Sequence, residues 1–387
     1  MRNILCLSTS NYYPFPTRKQ NIMNRLVGCN ILYVDPPVSL IAPLKDPKAR
    51  ERLAAYKEGP KQAQPGLKVY AQPPVVPFFN RKRAINECNQ KRLAKYLAGL
   101  VKDNGFGDDF WIWCYSPTSC DVVAPLAAEL GLDPSALWKR TVYDCVDRHS
   151  AYPGQIDPAV VDAMEEDLAR SCGCVFATAQ GLYERLKAFN ENTHLIPNGC
   201  AFELFNRTAS LEKSGAFDGP HFGFVGMLQE CLDYECLKAV AKAFPEGKVT
   251  LIGRSLPGVD LSWTEQFSNV ELAGLVLQPQ LPERIREFDV CLNVFADNDL
   301  SRDVSPLKFY EYLATGKPVV STLVPLQVLD YADCIYLAET PDEFVLRCRE
   351  ALAEGPDDPR RQARIEAARR NSWDEKVAEM KTILGWD

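Results

Sequence analysis

Short apolar runs alternate with stretches of helical periodicity twice over along this chain, and nothing else constrains its fold as strongly. In the first half the apolar runs are Ile4–Leu7, Ile31–Asp35, Leu67–Ala71, Phe110–Tyr115, Thr141–Val146, Val175–Thr178 and His194–Pro197. Helical patterns at 20–27, 84–102, 160–171 and 181–189 separate them. The second half repeats the alternation, with runs at Phe222–Val225, Val249–Ile252, Val270–Ala273, Val290–Val294 and Pro318–Ser321. Continuous apolar runs, rather than apolar–polar alternation, mark strands covered on both faces, as helices cover a parallel sheet. The expectation is α/β: two Rossmann-like, doubly wound domains facing a central cleft. The turn signal Asn198-Gly199 divides them, giving 1–199 and 200–365, and a last helix over 366–387 crosses back to the first domain. The polar, weakly periodic stretch 39–66 reads as an insertion or mobile segment.

Size permits this arrangement, since 387 residues at 46% hydrophobic can bury two cores. No apolar run reaches the roughly 18 residues of a spanning helix, and the first run is too short for a signal peptide, so a cytoplasmic protein is expected. Fourteen cysteines and three histidines lack metal-ligand spacing; the cysteines sit inside apolar runs and read as buried thiols, with no metal or cofactor expected. The net charge of -7 hides an asymmetry. Positions 45–103 hold 14 Lys/Arg against 5 Asp/Glu, a local surplus of 9, leaving -16 for the remainder. Such a surplus suits an anionic partner, and a solvated face is the other reading. Within it, Phe78, Phe79, Arg81, Lys82 and Arg83 combine aromatic rings with cations and are candidates to face an anionic membrane surface on the inner side of the cell membrane. Basic residues confined to one region, with no module signature, disfavour nucleic acid.

Doubly wound sheets bind ligands at the C-terminal ends of their strands. In the second half, Gly226 follows one strand and Gly253-Arg254 another, where a backbone amide and a guanidinium suit a phosphate. Ser305 reads as the N-cap of a helix over Pro306–Thr315 closed by Gly316. Lys308 in its first turn is unfavourable beside the positive helix end unless an anion binds there, and Glu311 shares its face. An ammonium for a pyrophosphate and a carboxylate for ribose hydroxyls suit a nucleotide sugar; an ordinary i,i+3 ion pair is the other reading.

The stretch Ser305-Pro-Leu-Lys-Phe-Tyr-Glu-Tyr-Leu-Ala-Thr-Gly-Lys-Pro-Val-Val320 resembles the donor-site signature of the group 1 glycosyltransferases of GT-B fold. Phe222-Gly-Phe-Val-Gly226, Leu251-Ile-Gly253, Ile196-Pro-Asn-Gly199 and Ser372-Trp373 extend the resemblance over most of the chain. It implies sugar transfer from a nucleoside diphosphate sugar, UDP in preference to GDP, to a glycan or polyprenyl-phosphate-linked acceptor. It implies further that Glu311 holds the ribose hydroxyls, Lys308 the pyrophosphate and the Gly226 amide a phosphate oxygen, with the base against Val276 and Leu277. Arg254 and Lys308 stand in for a basic pair the family carries after the Gly226 strand. Asp303 occupies the place of the family's earlier glutamate and Tyr143 that of a common histidine. Arg18, Gln20 and the Tyr143-Asp-Cys-Val-Asp147 run resemble a subgroup that builds bacterial capsule, teichuronic-type and exopolysaccharide chains.

Transfer needs an activated acceptor hydroxyl or a stabilised oxocarbenium-like transition state. Asp144 and Asp147 end a strand and are candidate bases; Asp303 is a candidate contact to the sugar; Arg18 and Gln20 are candidates to line the donor or acceptor side. Turn or helix capping is the alternative for each aspartate, and His149 reads as a solvated loop histidine. Three other functions fit less of the sequence: a metal-dependent transferase using Asp297-Asn-Asp299, a sugar-nucleotide epimerase, and an inactive nucleotide-binding partner of another transferase.

Overall fold

The computed structural model describes all residues except Lys45, Asp46, Pro153, Ala216 and Asp387. Two compact units divide the chain: Met1–Ile196 with Leu384–Trp386, and Pro197–Ile383. The first unit holds β1 (Arg2–Leu7), β2 (Cys29–Val34), β3 (Lys61–Gln64), β4 (Leu67–Tyr70), β5 (Phe110–Cys114), β6 (Thr141–Cys145), β7 (Cys174–Ala177) and β8 (Thr193–Leu195). They lie in the order β3-β4-β2-β1-β5-β6-β7-β8, with β3 antiparallel to β4 and the other pairs parallel. The second unit holds β9 (His221–Val225), β10 (Lys248–Ile252), β11 (Val270–Gly274), β12 (Val290–Asn293), β13 (Val319–Thr322) and β14 (Tyr336–Ala338), parallel throughout in the order β11-β10-β9-β12-β13-β14.

In both sheets the chain winds outward from a central strand and then returns to wind the other way. The reversals fall between β1 and β5 and between β9 and β12. Side-chain alternation sorts each central strand onto two covered faces. Leu5, Leu7, Ile112, Cys114, Tyr143 and Cys145 enter one core of the first unit. Trp113 is turned to the opposite face, where it meets Phe176 and, from the C-terminal tail, Trp386 at ring distances of 5.8 and 6.2 Å. The second sheet carries one core around Phe222, Leu251 and Phe344 and another around Phe288, Tyr312 and Ala368.

Two expectations about segments change. The stretch 39–66 contains a helix, Pro47–Glu58, and β3, which pairs with the edge strand β4. Few apolar residues mark it because it is a rim element. The C-terminal region forms two helices, Pro359–Arg370 and Trp373–Ile383, grouped with the second unit, while Leu384–Trp386 group with the first. Gly199 permits the chain entering the second unit to lie against Asn371: a Cβ there would stand 2.6 Å from the Asn371 carbonyl oxygen. All fourteen cysteines are free thiols, and all but Cys29 and Cys88 are buried.

Candidate functional site

The helix Leu307–Thr315 follows β12 and therefore stands at the reversal point of the second sheet, where open parallel sheets bind ligands. Its register is fixed by Tyr312, whose hydroxyl accepts from the Val225 amide at 2.6 Å at the end of β9. Gly316 closes it in the left-handed conformation, φ 71°. Its N-terminus has Pro306 at the cap position and no side-chain cap, so its first-turn amides remain free for an anion. Ser305, expected as that cap, is buried instead and holds Asn198: its hydroxyl accepts from the Asn198 amide at 2.9 Å, and its carbonyl from the Asn198 side chain at 2.7 Å.

Lys308 and Glu311 share one face, as their spacing requires. The Lys308 ammonium donates to Glu311 Oε2 at 2.7 Å, and Gln278 Nε2 donates to Glu311 Oε1 at 3.0 Å. The Glu311 side chain is 4% exposed against 28% for Lys308. Magnitudes decide what this pair is for. A helix-surface ion pair contributes about 0.3–0.5 kcal/mol, whereas taking a carboxylate out of water costs several kcal/mol. The ion pair alone does not offset the burial of Glu311. Gln278 brings the loop after β11 to the same carboxylate, and in that loop Leu277 is 48% exposed while Val276 packs on the core. Arg254 is exposed just beyond the end of β10.

Gly226 takes a different role from the one expected. Its amide donates to the Ile252 carbonyl at 2.9 Å, so it continues the strand pairing and is not free for a phosphate. Its own carbonyl presses on Gly253, where a Cβ would lie 1.7 Å from that oxygen. The glycine pair lets β9 and β10 end close together beneath the helix mouth. Asp303 is half-buried in the loop entering that helix. Asp297 is an ion-pair partner of Arg302 at 2.6 Å, which holds its carboxyl below the ordinary range; the Asp299 side chain lies outside the described residues.

In the first unit a cavity of about 470 Å³ opens at the other reversal point, beside the ends of β1 and β5. Lys19, Asp147, His149 and Tyr152 reach it from loops and the helix Arg18–Arg25, and Gln90 from the helix Arg83–Asp103. Asp147 thus faces a cavity, beside the Tyr152 hydroxyl, whose pKa is raised by burial first and then by Asp147. Asp144 does not. It lies on β6 between two core residues, points to the opposite face, and is 0% exposed. There it accepts from Arg18 Nε at 2.9 Å and Trp113 Nε1 at 3.4 Å, so the expected base and the expected cleft arginine form a buried ion pair. Tyr143 is equally buried and donates to Glu165. Gln20 is not a site residue either: it closes a capping box with Thr17 and donates to the Asn11 and Tyr12 carbonyls, holding the loop after β1.

The candidate membrane face also divides. Phe79 lines the cavity, and Arg83 pairs with Asp121 at 3.0 Å and with Asp167. Arg81 and Lys82 are exposed, Arg81 donating to Gln155 at 3.0 Å, and Phe78 is 45% exposed. Next to them the Ser39–Val75 bridge sets Leu40 and Ile41, 49% and 42% exposed, alongside Val76–Phe78. Leu44, 83% exposed, follows. No described helix is long and apolar enough to cross a membrane.

Sequence reading passed over Gln278, Tyr312, Lys19 and Gln90, and set His149 aside as a solvated loop histidine. Gln278 adjoins a loop already singled out. His149 is drawn inward: burial, first among several influences, pushes its imidazole pKa down, which marks a desolvated ring rather than a solvated one.

No family model matches the chain. A Bacillus subtilis (strain 168) protein, TuaH, named for glycosyl transfer in teichuronic acid biosynthesis, is 24% identical over 259 residues, 61% of this chain and 64% of that protein, so the match spans less than two thirds of the relative. Sucrose-phosphate synthase from Thermosynechococcus elongatus superposes with a TM-score of 0.70 at 14% identity, covering 100% of this chain and 98% of that one. Anabaena Alr3699/HepE, solved with UDP and glucose, gives 0.66 at 14% identity over 99% of each chain. The fold is GT-B, and the chain resembles glycosyltransferases both in its sequence relative and in its structural neighbours.

Proposed function

We propose that this chain is a glycosyltransferase that moves a sugar from a UDP-sugar to a glycan or lipid-linked acceptor in polysaccharide biosynthesis. One observation carries the reading: a buried carboxylate, Glu311, held between Lys308 and Gln278 at an uncapped helix mouth on the reversal point of a parallel sheet. In that reading the Glu311 oxygens accept the ribose hydroxyls, and Lys308 leaves its present partner for the diphosphate. The first-turn amides and Arg254 take up the remaining phosphate charge, so no metal is required. The base lies against the exposed Leu277, and Asp303 contacts the sugar. The UDP-bound neighbour and the teichuronic acid relative support the nucleotide and the class of product.

A nucleotide panel tests this. At a hundredfold excess over Kd, a ligand of the native state stabilises it by about 2.7 kcal/mol. UDP is expected to raise the melting temperature by several degrees, with GDP and ADP lagging behind. Indifference to all three sinks the proposal.

The acceptor side includes a peripheral position on the inner face of the cell membrane. Leu40, Ile41, Leu44 and Phe78, with Arg81 and Lys82 beside them, form an apolar patch with cations, which suits shallow docking on anionic lipid. Cosedimentation with vesicles of phosphatidylglycerol and phosphatidylcholine is expected, weakening in high salt and on replacing those four apolar residues by Ser. Equal pelleting of the variant and the wild type would rule this surface out.

A further inference from the structure

Glu311 is met by two donors that differ in what a bound nucleotide does to them. Lys308 lies one turn away on the same helix and donates to Oε2 at 2.7 Å. Gln278 reaches Oε1 at 3.0 Å from the loop after β11. An ionised carboxylate accepts and never donates, so the Gln278 carboxamide must present its N–H to it. That settles which way the amide faces.

The backbone beneath Gln278 is held without this bond. Gln278 opens the turn Gln278–Gln280, in which the Gln280 amide donates to the Leu277 carbonyl at 2.9 Å and the Leu281 amide to the Gln278 carbonyl. Arg207 Nη2 donates to the Pro279 carbonyl at 3.2 Å. The helix Leu281–Arg286 follows directly and buries Leu281 and Ile285 in the core that holds Tyr312 and Ala368. Pro279 and Pro282 fix two φ angles of the same stretch. A loop tied down in these ways needs no further hydrogen bond, and a neutral acceptor would serve it as well as a buried charge does. The group that benefits is Glu311.

The benefit depends on where Lys308 is. Lys308 answers Oε2 as long as no diphosphate claims it. Once it turns to a diphosphate, Gln278 is the partner that stays, because it stands on a separate element fixed by its own bonds. The last torsion of a glutamate side chain is broad. A carboxylate released by Lys308 and loose at Oε1 would swing away from a ribose diol. With Gln278 bonded to Oε1 the carboxylate plane is set, and its remaining lone pairs are placed for two hydroxyls.

We infer that Gln278 is a positioning residue of the donor site, holding Glu311 in the orientation that reads a ribose while Lys308 serves the diphosphate. This role rests on the glycosyltransferase reading of the site.

Calorimetric titration of the full chain with UDP and with 2′,3′-dideoxy-UDP tests it through the ratio of the two affinities. The wild type is expected to prefer UDP by about tenfold or more, the equivalent of about 1.4 kcal/mol. Gln278→Met keeps the length and loses the donor, and is expected to bring the two affinities within about threefold of each other. Gln278→Asn, which draws the same amide back by one methylene, is expected to behave as the Met variant does. Gln278→Lys returns a donor at similar reach and is expected to recover most of the preference. A merely structural role would not move this ratio, since a disturbed loop weakens both nucleotides by the same factor. The inference is overturned by Met and Asn variants that keep the wild-type ratio, or by a Lys variant that fares no better than Met. A wild type blind to both nucleotides would sink the glycosyltransferase reading itself. A preference for UDP that the wild type shares with the Met and Asn variants would sink the role of Gln278 alone.

Discussion

Glu311→Gln is expected to lower kcat/KM for the UDP-sugar by a factor on the order of 10²–10³ while the melting temperature stays near that of the wild type. The two effects separate because Glu311 is buried at a cost that its bonds from Lys308 and Gln278 offset only in part. Hydrogen bonds to a charged acceptor contribute about 1.5–3 kcal/mol each, and the carboxylate accepts two from a ribose diol where an amide accepts one and must turn its other end away. The loss of the ion pair with Lys308 costs little, because the Lys308 side chain is 28% exposed and can turn to water. The amide also avoids the desolvation penalty of the carboxylate. UDP release from UDP-glucose, followed with a thermal melt of the same sample, checks both halves. A loss of activity under about fivefold, or one that merely tracks unfolding, removes Glu311 from the donor site.

Asp144→Ala should do the reverse, unfolding the first unit without touching nucleotide recognition. The change leaves the Arg18 guanidinium, 1% exposed, without the carboxylate that its Nε meets at 2.9 Å. Breaking a buried pair by removing one partner costs about 3–5 kcal/mol, which for a unit of this size lowers the melting temperature by roughly 6–20 °C. Trp113 loses an acceptor as well. Calorimetry should show an early transition moved down and a UDP-responsive transition left in place. A variant that melts like the wild type yet transfers no sugar would return Asp144 to the chemistry.

The strands were legible because parallel sheets bury both faces, so their apolar runs are continuous, and all the runs read from the sequence became strands. The strands it missed, β3 and β14, lie at sheet edges and are short: β3 is the largely polar Lys61–Gln64, and β14, though apolar, spans only Tyr336–Ala338. The Lys308–Glu311 face was legible because both residues lie on one helix, whose period fixes their neighbourhood. Asp144 was misread for the opposite reason. Local spacing marks it as a strand-end carboxylate, and the Arg18 that explains it is 126 positions away. Gly226 shows a similar limit: a glycine after a strand suits an anion, but only the register with β10 reveals that its amide is already committed to Ile252. Ser305-Pro306 allows either residue to cap, and the tertiary bond to Asn198 decides between them. His149 had no local sign of burial at all.

The central claim is that Glu311 reads the ribose of the donor, and a double-mutant cycle in protein and ligand addresses it. Calorimetry would compare UDP with 2′,3′-dideoxy-UDP on the wild type and on Glu311→Gln. The wild type is predicted to prefer UDP by about tenfold or more, since two charge-assisted hydrogen bonds are at stake, and the variant to bind both nucleotides nearly equally. A preference for UDP that survives unchanged in the variant would contradict the account.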